Sequence, residues 1–186
     1  MSAGSLIRST WLLYFSQPAP DRFLYKAVKG KSIRSVVEIG IGSGVRTRRL
    51  LEVLSWQQGN PPLRYTGIDL FEARPQNQSG LPLKRAFHEL RRGGVRLKLV
   101  PGEPYEALVR VANGLSGTDL LLISADQDRS SLQYAWSYMP RMLHPASLIF
   151  QEDVDPKTGK SSFRRLTPLE VQRYAALASR ALRRAA

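Results

Sequence analysis

One stretch constrains the chain more than any other: Ser35 to Glu52, which reads SVVEIGIGSGVRTRRLLE. It opens on Val36-Val37-Glu38-Ile39, a short run of the kind that forms a buried strand. Glycines follow at alternate positions, Gly40, Gly42 and Gly44. The segment then takes helical spacing, with Thr47, Leu50, Leu51 and Leu54 on one face. Strand, glycine turn and helix make the first crossover of an α/β nucleotide-binding fold. A side chain in such a turn would block the tight bend and hold a ligand off the backbone. The amides at the helix start then face an anion or a polar group.

The spacing bears on which ligand. A dinucleotide fingerprint reads G-x-G-x-x-G, and counted from Gly40 its third glycine falls on Val45. What stands here is E-x-G-x-G-x-G. That pattern resembles motif I of the class I S-adenosylmethionine-dependent methyltransferases. The resemblance implies a Rossmann-like, doubly wound, mostly parallel sheet of order 3-2-1-4-5. It also implies that Gly40, Gly42 and Gly44 pass under the amino-acid end of the cofactor, S-adenosyl-L-methionine, with Glu38 near the methionine ammonium.

Downstream, Arg64-Tyr65-Thr66-Gly67-Ile68-Asp69 reads as the second strand, ending in an acid. An acid there suits a ribose diol, because one carboxylate accepts both hydroxyl hydrogens. The resemblance gives Asp69 that role, and Leu70 and Phe71 are placed to flank the adenine. Val95 to Val100 alternates as a third strand, and the turn Pro101-Gly102-Glu103-Pro104 follows. By resemblance, Gly102 and Glu103 hold the adenine-contacting place. Asp119 to Ser124 is the apolar fourth strand. Ligands bind beyond the carboxyl ends of parallel strands, so Asp126 and Asp128 become candidates to hold or deprotonate an acceptor, Asp126 first. Equally, Asp128 suits a cap for the next helix and Asp126 suits loop amides.

Between these strands the periodicity predicts helices. Asp21 is expected to cap Arg22 to Lys29. Gln57 to Pro62 and Ala73 to Gly80 read as turn and loop. Pro82 to Arg92 carries Leu83, Ala86, Phe87 and Leu90 on one face, with His88 off it at the surface. Tyr105 to Asn113 and Ser131 to Met142 are further helices, the latter ended by His144-Pro145 ahead of a fifth strand, Ser147 to Phe150. Thr167, Pro168 and Glu170 spell a capping box for a last helix, with Val171, Tyr174, Ala175, Ala178 and Leu182 inward. Trp11, Tyr14 and Phe15 are expected to pack an N-terminal helix onto the sheet. The chain thus reads as one domain over 1–186, with an N-terminal helical extension over 1–30 and a C-terminal loop and helix over 154–186.

Two departures from the methyltransferase pattern matter. Small metal-dependent O-methyltransferases place an aspartate at the end of strand four and an Asp-Asn pair after strand five. Here those positions hold Ser124 and Glu152-Asp153, so a hard-cation site is weakened and no metal is expected. The family also closes its sheet with two further strands. After Asp153 these are reduced or absent: either the sheet stops at five strands or Ser161 to Leu166 supplies a short sixth. A small lid implies an open acceptor site, a partner subunit that completes it, or lost catalysis.

Composition adds the remaining bounds. The chain has 186 residues, no cysteine, and 28 Lys and Arg against 15 Asp and Glu, a net charge of +13. Disulfides and thiolate metal sites are excluded. No apolar run approaches the roughly 20 residues of a membrane span, and Trp11 to Phe15 is too short for a secretory core, so no membrane and a cytoplasmic location are expected. The basic excess favours polyanions or reflects Arg used as a solvated cation. The expected function is methyl transfer from S-adenosylmethionine to a small-molecule or RNA acceptor. The rival is a non-catalytic relative holding RNA or another polyanion on its basic surface, and a nicotinamide oxidoreductase is disfavoured by the glycine spacing.

Overall fold

The computed structural model describes residues 3–55, 62–75 and 78–185. Gln57 to Pro61 of the expected turn, and Gln76 and Asn77 of the expected loop, lie outside them. Among the described residues six strands form one sheet: β1 (Ser35–Ile39), β2 (Leu63–Asp69), β3 (Val95–Pro101), β4 (Thr118–Ile123), β5 (Leu143–Val154) and β6 (Ser161–Arg165). Their order is β3-β2-β1-β4-β5-β6. The first five are parallel and β6 runs antiparallel to β5. The expected order 3-2-1-4-5 holds, and the segment after Asp153 adds one short strand before its helix. β1 is buried along its whole length, as a central strand between two parallel neighbours must be.

Among the described residues seven helices flank the sheet: α1 (Ala3–Tyr14), α2 (Asp21–Val28), α3 (Val45–Ser55), α4 (Leu83–Leu90), α5 (Pro104–Val111), α6 (Arg129–Ala135) and α7 (Pro168–Ala185). One core cluster gathers Leu12, Leu24, Leu50, Leu54, Ala86 and Leu90 from α1 to α4 against Val36, Tyr65, Leu120 and Phe150. The other gathers Ala107, Leu108, Ala135, Val171 and Ala178 from α5 to α7 against Val37, Ile39, Leu121 and Ile149. Successive strand residues alternate between the two faces.

Several expected boundaries move, each for a local reason. α6 stops at Ala135, beyond which Ser137, Tyr138 and Met139 donate three residues back in place of four, and Met139–Met142, with Pro140 inside it, forms a separate 3-10 turn. β5 starts earlier than Ser147, with His144-Pro145 inside an irregularity opposite Thr118 and Leu120. In α1 the buried residues are Leu12 and Leu13, while Trp11, Tyr14 and Phe15 face outward. The Trp11 ring lies instead between the Arg8 and Arg49 guanidinium groups. Phe87 of α4 is also exposed, and Ala86 and Leu90 alone are fully buried there. The capping box of α7 forms, with Thr167 N–H donating to Glu170 at 2.8 Å and Glu170 N–H to the Thr167 hydroxyl at 3.3 Å. Among the described residues no helix is long and apolar enough to cross a membrane.

Candidate functional site

The carboxyl ends of β1, β2, β3 and β4 converge on the glycine turn. Gly40, Gly42 and Gly44 all have positive φ. A Cβ at Gly40 would collide with the Gln127 side chain and with Ser124 Cβ at 2.6 Å, so the loop after β4 closes on this glycine. A Cβ at Gly44 would lie 2.7 Å from Leu81 Cδ1. Above Gly42 nothing lies within 4 Å. Of the three, Gly42 therefore leaves room for something to approach the backbone.

Asp69 ends β2 and is 3% exposed. Its Oδ2 accepts the Ile41 N–H at 2.7 Å and the Gly42 N–H at 2.9 Å. Its Oδ1 accepts the Phe71 N–H at 2.9 Å. That last bond holds Phe71 at φ 51, a conformation rare for a bulky side chain. Phe71 itself belongs to the core and does not flank an open site, whereas Leu70 is half-buried at the rim. Gly102 N–H donates to the Asp69 carbonyl at 3.0 Å, which brings the β3 tip alongside. Glu103 follows as the N-cap residue of α5, half-buried and without a side-chain capping bond.

A residue absent from the sequence reading completes this arrangement. Arg74 donates Nε to Asp69 Oδ1 at 2.8 Å and Nη2 to Asp69 Oδ2 at 2.7 Å. Its Nη1 reaches Asp126 Oδ2 at 2.9 Å. The guanidinium thus ties the tip of β2 to the loop after β4. Arg74 is packed against Gly80, where a Cβ would meet Arg74 Nε at 2.7 Å. Burial pushes the carboxyl pKa of Asp69 and of Asp126 upward, but their hydrogen bonds, led by those from Arg74, leave both below the usual range. Asp128 plays the structural part: it accepts the Ser131 N–H at 2.7 Å and caps α6.

Glu38 is fully buried behind the turn. It accepts from the Tyr65 hydroxyl at 2.7 Å, the Thr47 hydroxyl at 2.8 Å and Arg46 Nε at 3.2 Å. The Tyr65 ring runs over Gly67 to reach it, and a Cβ at Gly67 would meet that ring at 3.0 Å and Ile41 Cδ1 at 2.5 Å. Arg46 also donates to Glu152 at 3.0 Å and to the Gly40 carbonyl at 3.2 Å. Ser124 donates to the same Glu152 oxygen at 3.1 Å. Asp153 instead pairs with Arg164 at 3.5 Å. Among the described residues no group of three or more His, Asp or Glu is disposed to hold a metal ion.

Asp21 lies within the electrostatic reach of this cluster. It is the first residue of α2 rather than its cap, and it is 3% exposed. Burial raises its pKa from the usual 3.8 to about 6, with Arg46 pulling the other way and Glu152 and Glu38 adding to the rise. A carboxyl with a raised folded-state pKa favours folding when protonated, and that contribution is lost as pH climbs from about 4 through 6. Above that window the charge costs about 3 kcal/mol. Asp21→Asn is therefore expected to stabilise the protein by about 2–3 kcal/mol at pH 8 and by little at pH 4. Urea unfolding at the two pH values checks this, and an equal effect at both would refute it.

No family model and no curated sequence matches the chain. Solved structures do. An O-methyltransferase from Bacillus cereus in complex with SAH matches with a TM-score of 0.56 at 16% identity, over 82% of this chain and 67% of that one. Cofactor-bound Rv0187 from MTB matches with a TM-score of 0.52 at 21% identity, over 97% and 75%. The O-methyltransferase TomG from Streptomyces achromogenes, involved in tomaymycin synthesis and in complex with SAM, gives 0.53 at 16% identity, over 98% and 78%. The chain therefore has the class I methyltransferase fold.

Proposed function

We propose that this chain binds S-adenosylmethionine at the carboxyl ends of β1 to β4 and transfers its methyl group to an acceptor. The observation that carries the reading is the way Asp69 is held. Arg74 offers one N–H to each Asp69 oxygen, and a ribose cis-diol offers one O–H to each. The carboxylate is thus preset for two side-by-side donors, next to the open face of Gly42 and the backbone of Gly102. The SAH and SAM complexes among proteins of the same fold support the choice of ligand.

The bound cofactor supplies an activated sulfonium methyl group. The chain's own residues have to align an acceptor with it and exclude competing geometry. Asp69 exchanges Arg74 for the diol. Leu70 and Gly102 with Glu103 border the base. Asp126 is exposed enough to touch an acceptor, and while Arg74 holds it, its depressed pKa makes it an orienting anion rather than a strong base. Glu38 is buried behind the turn and held by Arg46, Thr47 and Tyr65, and its part is to fix the start of α3 under the turn, beside the methionine end of the cofactor.

Isothermal calorimetry with S-adenosylhomocysteine, and with NAD as counter-ligand, tests this. One-to-one binding of the first and none of the second is the expected result. No heat with S-adenosylhomocysteine at millimolar ligand overturns the reading and leaves a scaffold without cofactor chemistry.

A further inference from the structure

One face of the sheet changes character halfway along β2 and β3. Ile68 on β2 and Val100 on β3 belong to the apolar core that α5 covers. Two and four residues earlier, on the same face by strand alternation, stand Thr66 and Arg64 on β2, and Lys98 and Arg96 on β3. Arg64 pairs with Arg96 in the register, and Thr66 with Lys98. The three cations are exposed, and Arg64 is the sole exposed position of an otherwise buried strand. They line a cleft of about 210 Å³, floored by Ser35 and Thr66 and bounded by Gly114 and Leu115 after α5.

None of the three side chains has a hydrogen-bond or ion-pair partner among the described residues. Asp119, which approaches through Ser35, gives one carboxylate oxygen to the Arg34 and Ser35 amides and the other to His144. Cations on a border strand often serve to discourage strand pairing, which would explain Arg96 and Lys98. It does not explain Arg64, because β2 lies inside the sheet between β1 and β3. A helix could have covered this half of the face over apolar residues, as α5 covers the other half. Instead the protein keeps three like charges side by side, which repel one another until an anion lies among them.

We propose that this cleft binds the phosphate backbone of single-stranded RNA. Three cations in two adjacent rows, roughly 7 Å apart along a strand and 5 Å across, suit consecutive phosphates rather than one small carboxylate. The net charge of +13 adds long-range attraction for the same class of partner. The cleft runs from three to five residues down β2 from Asp69, roughly 10–16 Å by strand rise, on the side of the strand away from its carboxyl end. It is therefore separate from the cofactor site, and its occupancy does not depend on methyl transfer.

Fluorescence anisotropy with a labelled single-stranded RNA, titrated over salt, tests the proposal. The triple variant Arg64→Gln/Arg96→Gln/Lys98→Gln is compared with Arg173→Gln/Arg180→Gln/Arg184→Gln on α7, which removes the same charge elsewhere. The first is expected to weaken binding at least tenfold and to flatten the log–log salt slope by about 2, since each lost phosphate contact on a single strand removes about 0.7. The α7 variant should keep the slope. Neither unfolding midpoint should fall below the parent's, because the altered side chains are exposed and the first variant relieves repulsion. Equal losses in the two variants, or no RNA binding by the parent at low salt, overturn the proposal. A thermal shift with pyrophosphate that vanishes in the first variant, without RNA binding by the parent, also overturns it in favour of a small-phosphate pocket.

Discussion

Replacing Glu38 with Ala is expected to cost about 3–5 kcal/mol of stability, the range for removing one partner of a buried ion pair. Glu38 is 0% exposed and receives three side-chain donors. Its loss leaves the Tyr65 hydroxyl without an acceptor in a site where burial, and then the Glu38 charge, already push the tyrosine pKa far up. It also strips Arg46 of one of its two carboxylates, leaving Glu152 and the Gly40 carbonyl. Total stabilities run to about 5–15 kcal/mol, so this one change threatens the folded state at physiological temperature. Glu38→Gln keeps the shape and one good acceptor, and should lose roughly half as much. Urea unfolding of the three proteins decides the matter. A Glu38→Ala cost below about 1 kcal/mol would mean that the network behind the glycine turn is not what holds α3 in place.

The second large effect concerns the ligand, and its value lies in its sign. Asp69→Ala should weaken S-adenosylhomocysteine binding by about 100-fold, two charge-assisted hydrogen bonds at about 1.5 kcal/mol each. Arg74→Ala should strengthen it by about tenfold, because the ligand no longer has to displace a bidentate partner. Asp69 and Arg74 are the two halves of one ion pair at 2.7 Å. General damage to the site would move both variants in the same direction. Opposite shifts in calorimetric Kd therefore point to competition for one carboxylate. Weakening by both would sink the competition, leaving either general damage or an Arg74 that contacts the ligand.

What the amino-acid order announced, and what it hid, divide along physical lines. β1, β2 and β4 were found nearly to the residue because strands buried on both faces read as short apolar runs, β3 because its residues alternate, and α3 because one face meets the core at a period near four. The capping box of α7 was equally legible, because both of its bonds are local. Asp69 was identified from its place at a strand tip. Its partner Arg74 was not, because a loop arginine carries no periodic mark and meets Asp126 only through the fold. Arg46 did leave a trace. It stands in the first turn of α3, where a cation opposes the helix dipole and no acid is present. A local rule broken in this way signals a compensating contact, here Glu38 and Glu152. Asp21 and the Trp11 to Phe15 segment misled for the opposite reason. Each satisfied a local pattern that the packing of α1 and α2 overrode.

The bare position at Gly67 has a consequence for how this sequence is able to drift. The Tyr65 ring crosses that gap to meet Glu38, so a side chain at 67 presses on the ring at 3.0 Å and pulls at one of the three donors that hold the carboxylate. Ile41, pressed against the same gap, blocks the alternative path. Positions 38, 41, 65 and 67 therefore form one heritable unit. Single-step substitutions at Gly67 are closed until Ile41 has been shortened and the phenol exchanged together with the acid it serves.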